Sequence, residues 1–411
     1  MSYIKFKPIN LTNLGTPVTM YPPNAILDAT SYAWSWGLNN AGQIGDGTTN
    51  KRSGLTSVQG GRRLLQLYSG GTNIGFDTNS YAWSWGSNSS ALLGINTTNS
   101  QSSPVSILGG HQWRSLSTNG NVISAIDNNS YAWTWGIYPT IMQQSSPLSV
   151  AGAKQFTTVS TGANTVALDG NSYAWTWGIA LYGGLGNNTN SPNSTSSAVS
   201  VVGGQQWRLA IGTNASNIAI NSNSYAWSWG ENSSGTLGDG TTNSRSSPAS
   251  VLGGRQWRTL ISNGTSVLAL DSNSYAWGWG YNFGFGDGTT SNRSSPVSVL
   301  GNIQFTAIVT NNSGNGGFAG VTANGILWTW GNSPLGDGTT DSKSSPVLIL
   351  LPTQNAVSFP MGGGMMADGL NLWSWGNSNM GDGTTELRSS PVAITTFALP
   401  HGGKPSLIYG A

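Results

Sequence analysis

Apolar and polar positions alternate along this chain in short runs that stop at glycine, asparagine or aspartate. Residues 247–280 show it most clearly, where SPASVLGG, RQWRTLISNG, SVLALDSN and SYAWGWG follow one another. A period of two predicts half-buried strands, and the Gly-Gly, Asn-Gly and Asp-x-Asn breaks predict hairpin turns. The last run recurs. Trp-x-Trp-Gly begins at Trp34, Trp83, Trp133, Trp175, Trp227, Trp277, Trp328 and Trp373, at intervals of 49, 50, 42, 52, 50, 51 and 45 residues. Four short strands repeated at such a period mark a β-propeller, because one unit cannot bury its apolar face alone and neighbours must stack. The expected fold is therefore all-β. It is a single β-propeller of four-stranded blades over residues 1–411, eight blades favoured with seven as the alternative, the ring closed by the chain termini. Residues 1–37 read as a degenerate first unit, 38–376 as seven regular units, and 377–411 as a closing strand with a C-terminal tail. In this reading the SPASV-type run opens each blade, and the last such run, PVAITTFALP, returns to the first blade.

Side chains alternate faces along a strand. In Ser80–Gly86, Tyr81, Trp83 and Trp85 share one face while Ala82 and Ser84 share the other. The bulky face of one blade can then fill the flat face of the next. The motif tryptophans are expected in this core: Trp34, Trp36, Trp83, Trp85, Trp133, Trp135, Trp175, Trp177, Trp227, Trp229, Trp277, Trp279, Trp328, Trp330, Trp373 and Trp375. Each removes about 150–250 Å² from water when buried. The competing use, an aromatic platform for sugars or bases, is not needed to explain them.

Composition narrows the function classes. Charged residues are 7% of the chain and the net charge is +2, too weak and too scattered for a nucleic-acid track. There is no cysteine, so disulfides and thiolate metal sites are excluded. No apolar run reaches the roughly 18–20 residues of a membrane span. The start, MSYIKFKPINLTN, holds no apolar core of signal-peptide length, so classical secretion is not expected.

The stretch WSWGxNxxGxLGDGTTxxRSSPVSV, seen in Trp227–Val251 and Trp277–Val299, resembles the repeat of the regulator of chromosome condensation family. The resemblance covers essentially the whole chain. It implies a propeller, usually of seven blades, that binds proteins through the loops of one face. The activities it implies are varied: nucleotide exchange on a small GTPase, histone binding, or inhibition of a bacterial β-lactamase. No common catalytic centre goes with it. Eukaryotic members carry a His in the second half-unit, where this chain reads SNGTSVLAL and STGANTVAL. Its Asn/Ser/Thr-rich, cysteine-free style is more similar to bacterial and bacteriophage versions, and the phage versions imply a virion structural or host-contact role.

Most units follow Trp-x-Trp-Gly with Gly-Asp-Gly-Thr-Thr and a basic residue six positions after the Asp. The pairs are Asp46/Arg52, Asp239/Arg245, Asp287/Arg293, Asp337/Lys343 and Asp382/Arg388. Three units lack both partners, so acid and base are kept or lost together. This predicts an ion pair across each loop. Calcium is the competing reading, but it takes six to eight oxygens and each loop offers one carboxylate. No metal site is therefore expected. The three exceptional loops, 87–103, 137–146 and 179–197, are consecutive and would form one arc. They carry Leu92, Leu93, Ile95, Ile137, Tyr138, Ile141, Met142, Leu181 and Tyr182, candidate partner contacts because they are apolar or aromatic loop residues.

The acids are spread thinly, and the two histidines, His111 and His401, sit in unrelated places. No nucleophile elbow, P-loop or metal-ligand cluster is present. No catalytic residue and no cofactor is expected. The function expected is that of a non-enzymatic structural or protein-binding propeller, a bacteriophage virion component such as a tail, fibre or capsid-decorating protein. Its partners would be neighbouring virion proteins or a host surface protein or glycan, within a larger assembly. The alternatives are a bacterial cytoplasmic binding module or inhibitor of the same repeat family, and a carbohydrate-binding propeller.

Overall fold

The computed structural model describes residues 24–28, 30–138, 141–152, 154–190, 194–282, 284–310, 317–350, 365–367, 372–376, 381–394 and 405–406. The chain is all-β, a single β-propeller with four-stranded blades. One blade consists of Trp257–Ser262, Ser266–Asp271, Ala276–Gly280 and Arg293–Ser298, each antiparallel to the next. Seven sheets have four strands. One further sheet, of Met365–Ala367, Leu372–Gly376 and Arg388–Ala393, has three among the described residues. Seven complete blades thus stand where the repeat count favours eight. The eight sheets are numbered below as units 1 to 8 in chain order.

The phase of the blade differs from the sequence reading. The Arg-Ser-Ser-Pro run closes the blade of the tryptophans before it and does not open the next one. Gly280 pairs with Arg293, and Trp277 with Ser298. The loop after Trp-x-Trp-Gly folds the chain straight back on its own strand. Arg388–Ala393 accordingly pairs with Leu372–Gly376, so Pro391–Ala393 does not return to the first sheet. The strand beside Asn24–Asp28 is Pro405–Ser406. Residues 1–23 and most of 395–411, on which closure by the termini rests, lie outside the described residues.

The apolar clusters lie between blades. Trp279 packs with Ile211, Ile218 and Ala226 of the unit before it. Trp85, Trp135, Trp177, Trp229, Trp330 and Trp375 occupy the same place at their own joints. The second tryptophan of every pair, from Trp36 to Trp375, is buried. The first is only half-buried in all units, from Trp34 to Trp373. Tyr81, which shares its face, is exposed. The aromatic row runs from the joint out to one rim, so half of it is not core.

The Gly-Asp-Gly loop welds each blade to the next. The glycine before the Asp has positive φ and lies flat on the next unit's second tryptophan. A Cβ on Gly45 would come within 2.7 Å of the Trp85 indole, one on Gly238 within 2.7 Å of Trp279, and one on Gly381 within 3.0 Å of Trp36. The residue after the Asp donates its N–H to a serine carbonyl of the next unit's fourth strand. These bonds are Gly47 to Ser102, Gly240 to Ser294, Gly288 to Ser344 and Gly338 to Ser389, at 2.7–2.8 Å, and Gly383 to Ser53 at 3.1 Å. Asn96 and Asn188, also at positive φ, do the same to Ser145 and Ser246 at 2.8 Å. Asparagine tolerates that conformation better than most residues. The joint from unit 3 to unit 4 is built differently. Residues 137–146 do not form a loop of this kind: Ala132–Tyr138 and Ile141–Ser149 pair as far as Tyr138 and Ile141. Ala151 bridges Ser197 there instead.

Candidate interaction surface

The two faces of the ring are chemically distinct. On the loop face, each Asp of Gly-Asp-Gly closes its own loop. Asp46 Oδ1 accepts from the Thr48 N–H at 3.0 Å and the Thr48 hydroxyl at 2.7 Å, and Oδ2 from Arg52 Nε at 2.8 Å. Asp239, Asp287 and Asp382 repeat this with Arg245, Arg293 and Arg388 at 2.7–2.8 Å, and Asp337 with Lys343 at 3.5 Å. Burial works against the charged form at all five. The hydrogen bonds from the threonine and the basic partner outweigh it, and each carboxyl is held below its ordinary value of 3.8.

A buried asparagine, not singled out in the sequence, is the hub of these loops. Asn232 donates to the carbonyls of Thr241 and Asn243 and accepts the Leu237 N–H. Asn39, Asn88 and Asn282 do equivalent work. The signal was the Asn two places after Trp-x-Trp-Gly, present in units 1, 2, 5 and 6 and replaced by Tyr138, Ala180, Ser333 and Ser378 in the others.

The arc of apolar loop residues divides on inspection. Leu92 and Leu93 are buried and are not partner contacts. Leu92 packs in the joint between units 2 and 3, and its carbonyl accepts the Trp135 indole N–H at 2.8 Å. Leu93 holds the place of Ile44, Leu185 and Leu237, all buried. Ile95 and Ile137 are half-buried. The side chains of Tyr138, Ile141 and Met142 lie outside the described residues. Leu181 and Tyr182 are exposed, at 43% and 54%. They sit in a single 3₁₀ turn, Leu181–Gly183, with Tyr182 at φ 56°.

The opposite face carries the turns before the third strand. In Asp127, Oδ1 accepts the N–H groups of Asn129 and Tyr131 at 2.9 Å, and Oδ2 accepts the Trp133 indole N–H at 2.9 Å. Asp28, Asp77, Asp169 and Asp271 hold Trp34, Trp83, Trp175 and Trp277 in the same way. Unit 5 has Asn221 instead. Its Oδ1 accepts the two backbone groups, but its Nδ2 donates to Gln205, and the Trp227 indole N–H is left without an acceptor. Arg62, Lys154 and Arg255 lie over the rings of Trp83, Trp175 and Trp277 at 3.2, 3.9 and 3.5 Å. His111 covers Trp133 at 3.9 Å between centroids. It is a rim residue tilted against that ring. His401 and Asp368 lie outside the described residues. Among the described residues no three His, Asp or Glu side chains come together as metal ligands would, and no helix is long and apolar enough to cross a membrane.

Two predictions follow from these bonds. Asn221→Asp gives the Trp227 indole its acceptor. It should stabilise the fold by about 1 kcal/mol and raise Tm by roughly 1–2 °C in calorimetry, whereas Asp271→Asn should lower stability by about 1–3 kcal/mol. The five loop carboxyls are depressed, so the stability they contribute is complete above their unfolded value and is lost as pH falls through the folded one. Unfolding curves should be flat from about pH 7 to 5 and fall steeply below about pH 4. The fall should be shallower in Asp239→Asn/Asp287→Asn, and an equal slope would remove the assignment.

No family model matches the chain, and no curated protein matches it. Solved structures do. Prp20p from Saccharomyces cerevisiae, described with its binding to Gsp1p and histones, has a TM-score of 0.62 and 18% identity, over 83% of this chain and 91% of its own. Human WBSCR16 has a TM-score of 0.62 and 17% identity, over 77% and 95%. Yeast RCC1 (Prp20) bound to Kap60 has a TM-score of 0.62 and 17% identity, over 87% and 91%. At these identities the likeness is one of fold, and the fold of this chain is the RCC1-type β-propeller.

Proposed function

We propose that this chain is a non-enzymatic, protein-binding propeller of a bacteriophage virion, a tail, fibre or capsid-decorating component that contacts neighbouring virion proteins or a host surface protein. The ring in this reading is one domain over residues 1–411, closed by the chain ends. The fourth strand of unit 1, Arg52–Ser57, meets the unit 8 loop through Gly54 and Asp382. Leu55 there replaces the proline found at Pro248 or Pro296, and proline would remove the N–H that such a bridge requires.

Protein binding is supported by the solved structures of similar fold, which are described with protein partners. The observation that carries the site is the contrast between braced and unbraced loops. Where the Asp–Arg brace is missing, in unit 4, Tyr182 and Leu181 project from a tight turn. A virion setting is supported only by the cysteine-free, Asn/Ser/Thr-rich repeat. The second tryptophans are buried in the joints, and Arg62, His111, Lys154 and Arg255 cover four of the rim tryptophans, which argues against carbohydrate as the main ligand.

Leu181→Ala/Tyr182→Ala should weaken attachment to purified particles about tenfold, or about 1.4 kcal/mol, with Tm unchanged. Attachment equal to wild type would remove the arc as the contact. Absence of the protein from purified particles would remove the virion reading.

A further inference from the structure

The face opposite the loops carries a charge pattern that the Asp–Arg braces do not explain. Arg62, Lys154 and Arg255 lie over indoles. Arg114, Arg208 and Arg258 each reach one unit along and donate to the carbonyls of Phe156, Trp257 and Thr306. Arg114 and Arg258 also hold the turn hydroxyls of Ser130 and Ser274. None of the six makes an ion pair among the described residues. The carboxylates of this face are spent on indole and backbone N–H groups, and Asp28, Asp127, Asp169 and Asp271 are buried. Between the cations stand Tyr81, Tyr131, Tyr173 and Tyr225, each 39–41% exposed. Among the described residues the exposed charge on this face is therefore positive. The exposed acids Asp341 and Glu386 are on the loop face.

We propose that this face is a docking surface for an acidic protein, whose carboxylates pair with the indole-stacked Arg62, Lys154 and Arg255 while the tyrosines supply the apolar contact. The proposal rests on the reading of the chain as a protein-binding propeller. Stacking removes much of the entropy that a free cation loses on pairing, and a planar guanidinium lying on a ring keeps its N–H edges for a carboxylate. Tyrosine and arginine are the side chains enriched in protein interfaces. A nucleic acid fits less well. The rings of Trp83, Trp133, Trp175 and Trp277 are already covered and offer no face to a base, and with Arg63 seven cations stand against the five turn carboxylates Asp28, Asp77, Asp127, Asp169 and Asp271, too small an excess for a phosphate track. The same small excess, with no projecting apolar helix, disfavours an anionic membrane.

The test is titration of the full chain with poly-L-glutamate, read by indole fluorescence at about 50 and 200 mM salt. Binding is expected, weaker at the higher salt. The combined variant Arg62→Gln, Lys154→Gln, Arg255→Gln should bind at least about tenfold more weakly. The charge-keeping variant Arg62→Lys, Lys154→Arg, Arg255→Lys should stay within about threefold of wild type. Leu181→Ala/Tyr182→Ala should bind poly-glutamate normally, which separates this face from the loop arc. Loss of particle attachment by that pair, with poly-glutamate binding intact, supports two surfaces. No binding to poly-glutamate, or equal binding by the glutamine variant, overturns the proposal. So does tighter binding of a DNA duplex or of phosphatidylserine vesicles at equal charge. Stacking of the chain on itself that the glutamine variant abolishes would overturn it in favour of a second copy. If that variant fails to fold by circular dichroism, Arg255→Gln alone decides, with a loss of about twofold or more expected and no change contradicting.

Discussion

An indole lying on a glycine of the preceding blade is the contact on which this ring depends. Burying one tryptophan is worth about 4–6 kcal/mol before entropy is counted. That gain exists only if the neighbouring loop offers a surface without a side chain. Gly45, Gly238 and Gly381 offer it, and the N–H two residues on ties the same loop to the next fourth strand. The side chain of the Asp between them bonds within its own loop. It shapes that loop through threonine and arginine. The exposed half of each ion pair is worth little by itself. The pair fixes the shape of its own loop, while Gly94 and Gly186 of units 2 and 4 make the same buried contact without it.

This division of labour separates structure from surface. Loops that carry the brace are committed to the joints. Unit 3 has no loop of this kind, and unit 4 keeps its joint through Gly186 and Asn188 but lacks the Asp–Arg brace and carries Ala180 in place of the hub asparagine. That is where Leu181 and Tyr182 come to solvent. On the other face the commitment is to the half-buried tryptophans. Their N–H groups occupy the carboxylates and leave the cations above the rings without acidic partners. One repeat thus generates two kinds of surface, a loop arc that is irregular and a cationic rim that is periodic.

The repeat made much of this legible. Copies inside one chain act as their own alignment, so the ion pairs and the alternating tryptophan strand could be read directly. Three things could not. A periodic pattern has no phase, so the Arg-Ser-Ser-Pro run could be read as the first strand of one blade or the fourth of the last. The hydrogen-bonded return from Gly280 to Arg293 decides that, and it is a tertiary fact. Leu92 and Leu93 look like exposed loop residues because nothing local shows that the loop folds under the next blade. The two tryptophans of each motif share a face and a spacing, yet one ends in the joint and the other at the rim. Only the position of the turn aspartate along the strand separates them.

The central claim, that each loop is welded to the next blade by a backbone bond, is tested most directly by amide hydrogen exchange on the native protein. The N–H groups of Gly47, Gly240, Gly288 and Gly338 lie in glycine-rich loops and would exchange fast if those loops were free. The account predicts that they exchange as slowly as the amides of the central strand Ser266–Asp271. Exchange at the rate of the exposed turn at Gly61 or Gly254 would contradict it.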